Sequence, residues 1–164
     1  MLELTDKDIL FPPEPMVYGL AESDPRMSVT TVIKWSGLGE NFSHVPAEVM
    51  EFARQRGNAV HLACAYLDEG VLDLDTVDIR ILPYVNAYIK FRSECATQII
   101  AVEKRLDYRL MGLAGTPDII AFINGRRAVI DRKTGDPASR SARLQTAGYR
   151  VLWEANNPKA PIYD

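Results

Sequence analysis

Apolar residues recur at helical spacing from Pro46 to Gly70. Val49, Phe52 and Ala53 share a face with Arg56, and Val60, Cys64, Leu67 and Val71 carry the stripe on until Gly70 ends it. A second helix is predicted from about Asp75 to Ala96, with Ile81, Tyr84, Val85, Tyr88 and Cys95 inward and Pro83 as a kink or first turn. Thr97–Arg105 then changes period. Ile99, Ala101 and Glu103 fall on one face of a strand, Ile100 and Val102 on the other. Asp107–Gly115 is a further strand region. Ile119–Ile123 and Ala128–Ile130 are apolar runs on either side of Asn124-Gly125, a pair that favours a two-residue hairpin turn. After a loop at Asp136-Pro137, Ser139–Ala155 is again helical, with Leu144, Val151 and Leu152 apolar. Ser28–Gly37 fits either a short strand or the first turn of a helix. The order of helices, strands and a closing helix predicts an α/β fold with a mixed central sheet flanked by helices.

Residues 1–27 break this regularity. They hold Pro12, Pro13, Pro15 and Pro25 in a polar mixture, which predicts an extended arm before a single domain over 28–164. The chain of 164 residues, 47% hydrophobic, suits one domain with a real core. There is no internal repeat. A net charge of −3 argues against coating nucleic acid through bulk positive charge, yet leaves room for an acidic metal site. Cys64 and Cys95 are too few and too far apart for a disulfide scaffold, a zinc ribbon or a self-contained iron–sulfur cluster. No apolar leader or run of membrane length is present, so a cytoplasmic protein with no membrane partner is expected.

The hairpin carries unexpected chemistry at its open end. A two-residue turn pairs Ile123 with Arg126, Ile120 with Val129, Ile119 with Ile130, and so Asp118 with Asp131. Lys133, two residues on, returns to the Asp131 face. Two carboxylates and an ammonium meet at one spot, and the like-charged carboxylates repel unless something neutralises them. Asp118 and Asp131 are hard oxygen ligands suited to Mg²⁺ or Mn²⁺, and Lys133 could serve an attacking water or a phosphate. A solvated ion pair between Lys133 and either aspartate is the plainer alternative. Gln145 and Tyr149 lie four residues apart on one helical face, with Gly148 beside them. His61 lies among small residues, Gly57 and Ala65; His44, in a loop, is read as an ordinary surface histidine. Glu103 is a further candidate ligand or an ion-pair partner of neighbouring bases. No P-loop, no G-x-G-x-x-G and no G-x-S-x-G is present.

Taken together, Pro117-Asp118 and Asp131-Arg132-Lys133 resemble the signature of the PD-(D/E)XK nuclease superfamily. Gln145-Thr-Ala-Gly-Tyr149 is similar to the Q-x-x-x-Y motif of its RecB-type exonuclease domains, and Gly57-Asn-Ala-Val-His61 to their upstream histidine motif. Ser28-Val-Thr-Thr-Val-Ile33 resembles the opening of phage-encoded and mitochondrial genome maintenance exonucleases. The resemblance spans 28–155. It implies a restriction-endonuclease-like core and a Mg²⁺- or Mn²⁺-dependent deoxyribonuclease, an exonuclease of phage-type recombination or replication. It also implies DNA, and a recombination or replication protein, as partners. His61, Asp118 and Asp131, with the backbone carbonyl of Arg132, would hold the metal, and Glu103 is carried over as a further ligand. Lys133 would serve the water, supported by Gln145 and Tyr149. Arg126, Arg127, Arg140 and Arg143 are candidate phosphate contacts, with solvated charge the plainer reading. The four cysteines of the iron–sulfur branch are absent. Relatives usually continue into another strand after the Q-x-x-x-Y helix, so the resemblance also implies a domain shortened by a C-terminal strand. Two other readings stay open: an inactive member that binds nucleic acid or protein, and a restriction-type endonuclease.

Overall fold

The computed structural model describes residues 26–95, 97–136 and 138–162. Most of the predicted arm therefore lies outside the described residues. Its last residue, Met27, instead opens β1 (Met27–Ser28), which pairs in parallel with β4 (Leu113–Gly115). Ser28 then caps α1 (Val29–Trp35), its side chain accepting a hydrogen bond from the Thr31 N–H at 3.0 Å. The ambiguous stretch is thus a very short strand that becomes a helix.

The helix predicted from Pro46 is α2 (Ala47–Glu69), closed by Gly70 at φ 74°. Its apolar stripe is only partly used. Val60, Ala63 and Cys64 are buried, whereas Val49, Phe52 and Val71 are exposed. The next helix, α3 (Leu82–Glu94), starts seven residues later than its predicted start at Asp75. Aspartates explain the delay. Asp73 accepts the Asp75 N–H and sets a short 3₁₀ turn at Leu74–Thr76, and Asp78 accepts the Arg80 N–H at 2.7 Å. Such side-chain bonds compete with helix, and Pro83, lacking an N–H, is at home only in the first turn.

Two three-stranded sheets follow where one mixed sheet was expected. In the first, β4 lies between β1 and β3 (Leu106–Tyr108). In the second, β5 (Ile119–Ile123) lies between β2 (Gln98–Val102) and β6 (Arg126–Ile130), both antiparallel to it. Thr116, Pro117 and Asp118 separate β4 from β5, and proline cannot donate to a ladder. The hairpin register is the one a two-residue turn demands, Ile123 with Arg126 through Ile119 with Ile130. Asn124 and Gly125 both adopt positive φ, 49° and 79°.

β2 departs from simple alternation. A bulge at Ile100 makes Ile99 and Ala101 consecutive partners of Ala121 and Ile120. Ile99 therefore packs with Val60, Cys64, Tyr88, Ile119 and Ala121, beneath α2 and α3. Ala101 packs on the opposite cluster, with Val29, Ile120, Tyr149, Leu152 and Trp153 from α1 and α4 (Arg140–Asn156). Ile119, Ile120 and Ala121 are all 0% exposed, so β5 is the buried spine of the fold with helices on both sides. Ser139 caps α4 through the Ala142 N–H. Of the apolar positions on this helix, Leu152 is buried and Val151 is exposed. After α4 the chain folds back: Trp153 Nε1 donates to the Ala160 carbonyl at 2.8 Å, and Ile162 is buried. No strand follows α4 among the described residues.

Candidate metal centre

The open end of the β5–β6 hairpin lies against α2 on one side and α4 on the other. The ladder stops at Ile119–Ile130, so Asp118 and Asp131 are not a ladder pair. Continued, it would set Pro117 opposite Arg132, where proline offers no N–H. Side-chain bonds take over. Asp118 Oδ2 accepts the Arg132 backbone N–H at 2.6 Å, and the Asp118 carbonyl accepts the Glu103 N–H at 2.9 Å. Asp118, at 7% exposure, is one of the few buried charged residues.

From α2, His61 brings Nδ1 to 3.4 Å from Asp118 Oδ2. From the end of β2, Glu103 turns in on a backbone of φ 45°. Ligand atoms of His61, Glu103 and Asp118 lie within 4.8 Å of one another. Asp131 falls outside that group, though it shares its electrostatics. Burial, followed by the charge of Asp118, holds the carboxyls of both Asp131 and Glu103 above their ordinary range. Burial also pushes Asp118 upward, but the hydrogen bond and charge of His61, with the Arg132 N–H, leave it below that range. His61 is held above its ordinary value: desolvation lowers it, and the Asp118 hydrogen bond and charge outweigh that.

Asp131 leads to a second set of groups. Lys133 Nζ is 2.6 Å from Asp131 Oδ2 and donates to Gln145 Oε1 at 2.9 Å. Gln145 Nε2 donates to the Tyr149 hydroxyl at 3.0 Å. Burial pushes the Tyr149 phenol up to about 12, so it stays a neutral acceptor. Asp131 Oδ2 is buried without a well-aligned hydrogen bond; the nearby ammonium meets it at ion-pair distance only. A buried carboxylate oxygen short of hydrogen bonds, with the negative charge of Asp118 close by, fits a divalent cation.

The structure thus joins His61, Glu103 and Asp118 in one group, and Asp131, Lys133, Gln145 and Tyr149 in a chain beside it. It does not bring the hairpin arginines there. Arg126 and Arg127 sit at the turn end, about 10–13 Å along the strand from Ile119 and Ile130. Arg127 is engaged with the Pro161 carbonyl at 2.7 Å and the Phe122 ring. Arg140 and Arg143 are exposed on the first turn of α4, and His44 is exposed in its loop.

Three contributors escaped the sequence reading. Arg56 donates to the Thr134 carbonyl at 3.3 Å and braces the segment just past Lys133. The Arg132 side chain is buried among carboxylates. Asp68 is one of them, and its signal was its spacing: two turns after His61 on α2, it leaves the helix on the same face. Comparison with protein-family models, curated proteins and solved structures finds no match. Among the described residues no helix is long and apolar enough to cross a membrane.

Proposed function

We propose that this protein is a Mg²⁺- or Mn²⁺-dependent deoxyribonuclease on a restriction-endonuclease-like core, an exonuclease of the RecB type. One observation carries the reading. The Asp131–Lys133–Gln145–Tyr149 chain runs beside the His61–Glu103–Asp118 group, so an ammonium is held in place next to two carboxylates and an imidazole that can ligate a metal. His61, Glu103 and Asp118 would hold the cation, with Asp131 and the Arg132 carbonyl as further ligands. When bound, such a cation supplies Lewis-acid stabilisation of the charge that builds on phosphate oxygens.

The chain's own groups do the rest. Asp131 and Gln145 grip Lys133 from two sides, which fixes its Nζ where it can orient the attacking water and offset developing negative charge. Tyr149, 6% exposed, fixes Gln145 in turn. Water adds to phosphorus in line, the bond to the departing sugar oxygen breaks, and the products are a phosphate monoester and a free hydroxyl. DNA is the proposed partner, with recombination or replication as the setting.

The test is degradation of end-labelled linear and circular DNA, single- and double-stranded, with Mg²⁺, Mn²⁺ or EDTA. Asp131→Ala and Lys133→Ala are assayed beside the wild type. Loss of linear DNA only, requiring metal and abolished by both substitutions, is the expected result. Cleavage of circles would indicate an endonuclease. No cleavage by folded wild-type protein would overturn the enzymatic reading in favour of a binding member of the same fold.

A further inference from the structure

A second layer of charge lies behind the candidate ligands, and the proposed reaction makes no use of it. The Asp68 carboxylate on α2 is 1% exposed. It accepts hydrogen bonds from the Tyr88 hydroxyl at 2.8 and 2.9 Å and from Arg92 Nη1 at 2.6 Å. Those partners already neutralise and satisfy it. Yet a second guanidinium, Arg132, lies 3.7 Å away.

Arg132 faces three carboxylates at once. Its side chain is 6% exposed and lies over the Tyr88 ring, 5.5 Å from the centroid. Nη2 donates to Glu103 Oε1 at 3.1 Å, and Nε is 3.7 Å from Asp118 Oδ2. Two of these three carboxylates belong to the candidate metal group. Nε and Nη1 make no hydrogen bond. A buried guanidinium with unmatched donors is costly, and only the surrounding negative charge holds it there. Glu103 needs such an anchor. At φ 45° it has left the strand geometry of β2, so pleating no longer sets where its side chain points. Its side-chain hydrogen bond to Arg132 does.

We propose that Asp68 and Arg132 are positioning residues: Asp68, steadied by Tyr88 and Arg92, fixes the Arg132 guanidinium, and Arg132 aims the Glu103 and Asp118 carboxylates at a shared divalent cation. The pair acts on the metal site read above and on nothing else in that reading. Without Asp68, Arg132 turns wholly to Glu103 and Asp118 and competes with the cation for them. Supporting partners of metal ligands contribute about 10- to 100-fold in affinity, and that is the loss expected here.

The test is Mn²⁺ binding to the full chain by titration calorimetry, with thermal unfolding in EDTA confirming that each variant is folded. Asp68→Asn keeps the side-chain volume and an acceptor for Tyr88, and is expected to weaken Mn²⁺ binding about 10- to 100-fold. Arg132→Lys keeps the charge but loses the planar fork, and is expected to weaken binding as well. Tyr88→Phe, which deletes one hydroxyl, serves if the others do not fold and is expected to show a smaller loss in the same direction. Wild-type affinity in every folded variant would overturn the proposal. So would a loss in Asp68→Asn with none in Arg132→Lys, because distant charge alone would then explain it. Wild-type protein that binds Mn²⁺ but leaves DNA intact would overturn the nuclease and leave this proposal standing on the calorimetry. Wild-type protein that binds no Mn²⁺ would overturn both.

Discussion

Lys133 donates to Gln145 across 2.9 Å, although one follows β6 and the other lies on α4. That bond fixes the ammonium that Asp131 alone would leave free to swing. Gln145→Ala is expected to lower the cleavage rate on the order of 10- to 100-fold, the cost of roughly an ångström of misplacement. Its unfolding temperature should barely move, since the side chain is only half-buried. Tyr149→Phe removes just the acceptor that steadies Gln145 and should have the smaller effect. Single-turnover kinetics on end-labelled DNA measure both.

The same cluster makes stability depend on pH in a defined direction. Glu103 and Asp131 are held above their ordinary values of 4.5 and 3.8, burial being the largest cause, so both bind protons more tightly in the folded state. Each therefore subtracts stability as pH rises through and beyond those values. His61 is also raised; its contribution is full below 6.5 and is lost as pH climbs through its folded value. Asp118 is depressed, so its contribution is present above 3.8 and lost only as pH falls below that value. All three shifts are upward, so these contributions fall away in the same direction as pH rises from 3.8 past 6.5. Metal-free protein in EDTA should unfold at a lower temperature at the upper end of that window.

Adding Mn²⁺ should reverse that trend. Cation binding replaces carboxylate repulsion with attraction and competes with the proton on His61. At a hundredfold excess over Kd the gain is about 2.7 kcal/mol, or roughly 5–10 °C for a chain of this size. It should be larger at pH 8 than at about pH 5, where protons occupy the ligands. Scanning fluorimetry across pH, with Mn²⁺ or EDTA, checks it. An equal shift at both pH values would exclude these ligands as the site.

Cysteine chemistry should separate the two thiols. Cys64 is 0% exposed beneath the sheet, and burial pushes its thiol up to about 11. Cys95 follows α3 and is half-buried. Native protein should present one thiol to a disulfide reagent and denatured protein two. Mass spectrometry should find the native label on Cys95. Rapid native labelling of Cys64 would contradict the packing of α2 on the sheet.

α4 meets α1 through a glycine. A Cβ on Gly148 would stand 2.6 Å from Val29 Cγ1, and Val29 is buried. Gly148→Ala should destabilise the protein by about 1–3 kcal/mol, the usual cost of overpacking. Val29→Ala in the same chain should recover part of that loss by making room. Denaturant unfolding of the single and double variants tests the contact.

The sequence by itself determined the local elements and one end of the site. Alternation and the Asn124-Gly125 turn set the hairpin register, because positive φ is readily available there and a one-residue slip would expose the buried face. Gly70 and Ser139 marked helix ends through their caps. The pairing of Gln145 with Tyr149 followed from helical spacing alone. Competition between local and long-range bonds was not legible. Aspartate turns delayed α3, a bulge moved Ala101 to the other face of β2, and the strands divided into two sheets. Nor could spacing within any one element reveal that Arg132, between the two residues of the hairpin motif that drew notice, would be buried among Asp68, Glu103 and Asp118. Those carboxylates come from α2, from just past β2 and from the approach to β5. Only the packing of helix on sheet brings such charges within reach of one guanidinium, and burial then makes their mutual interactions strong.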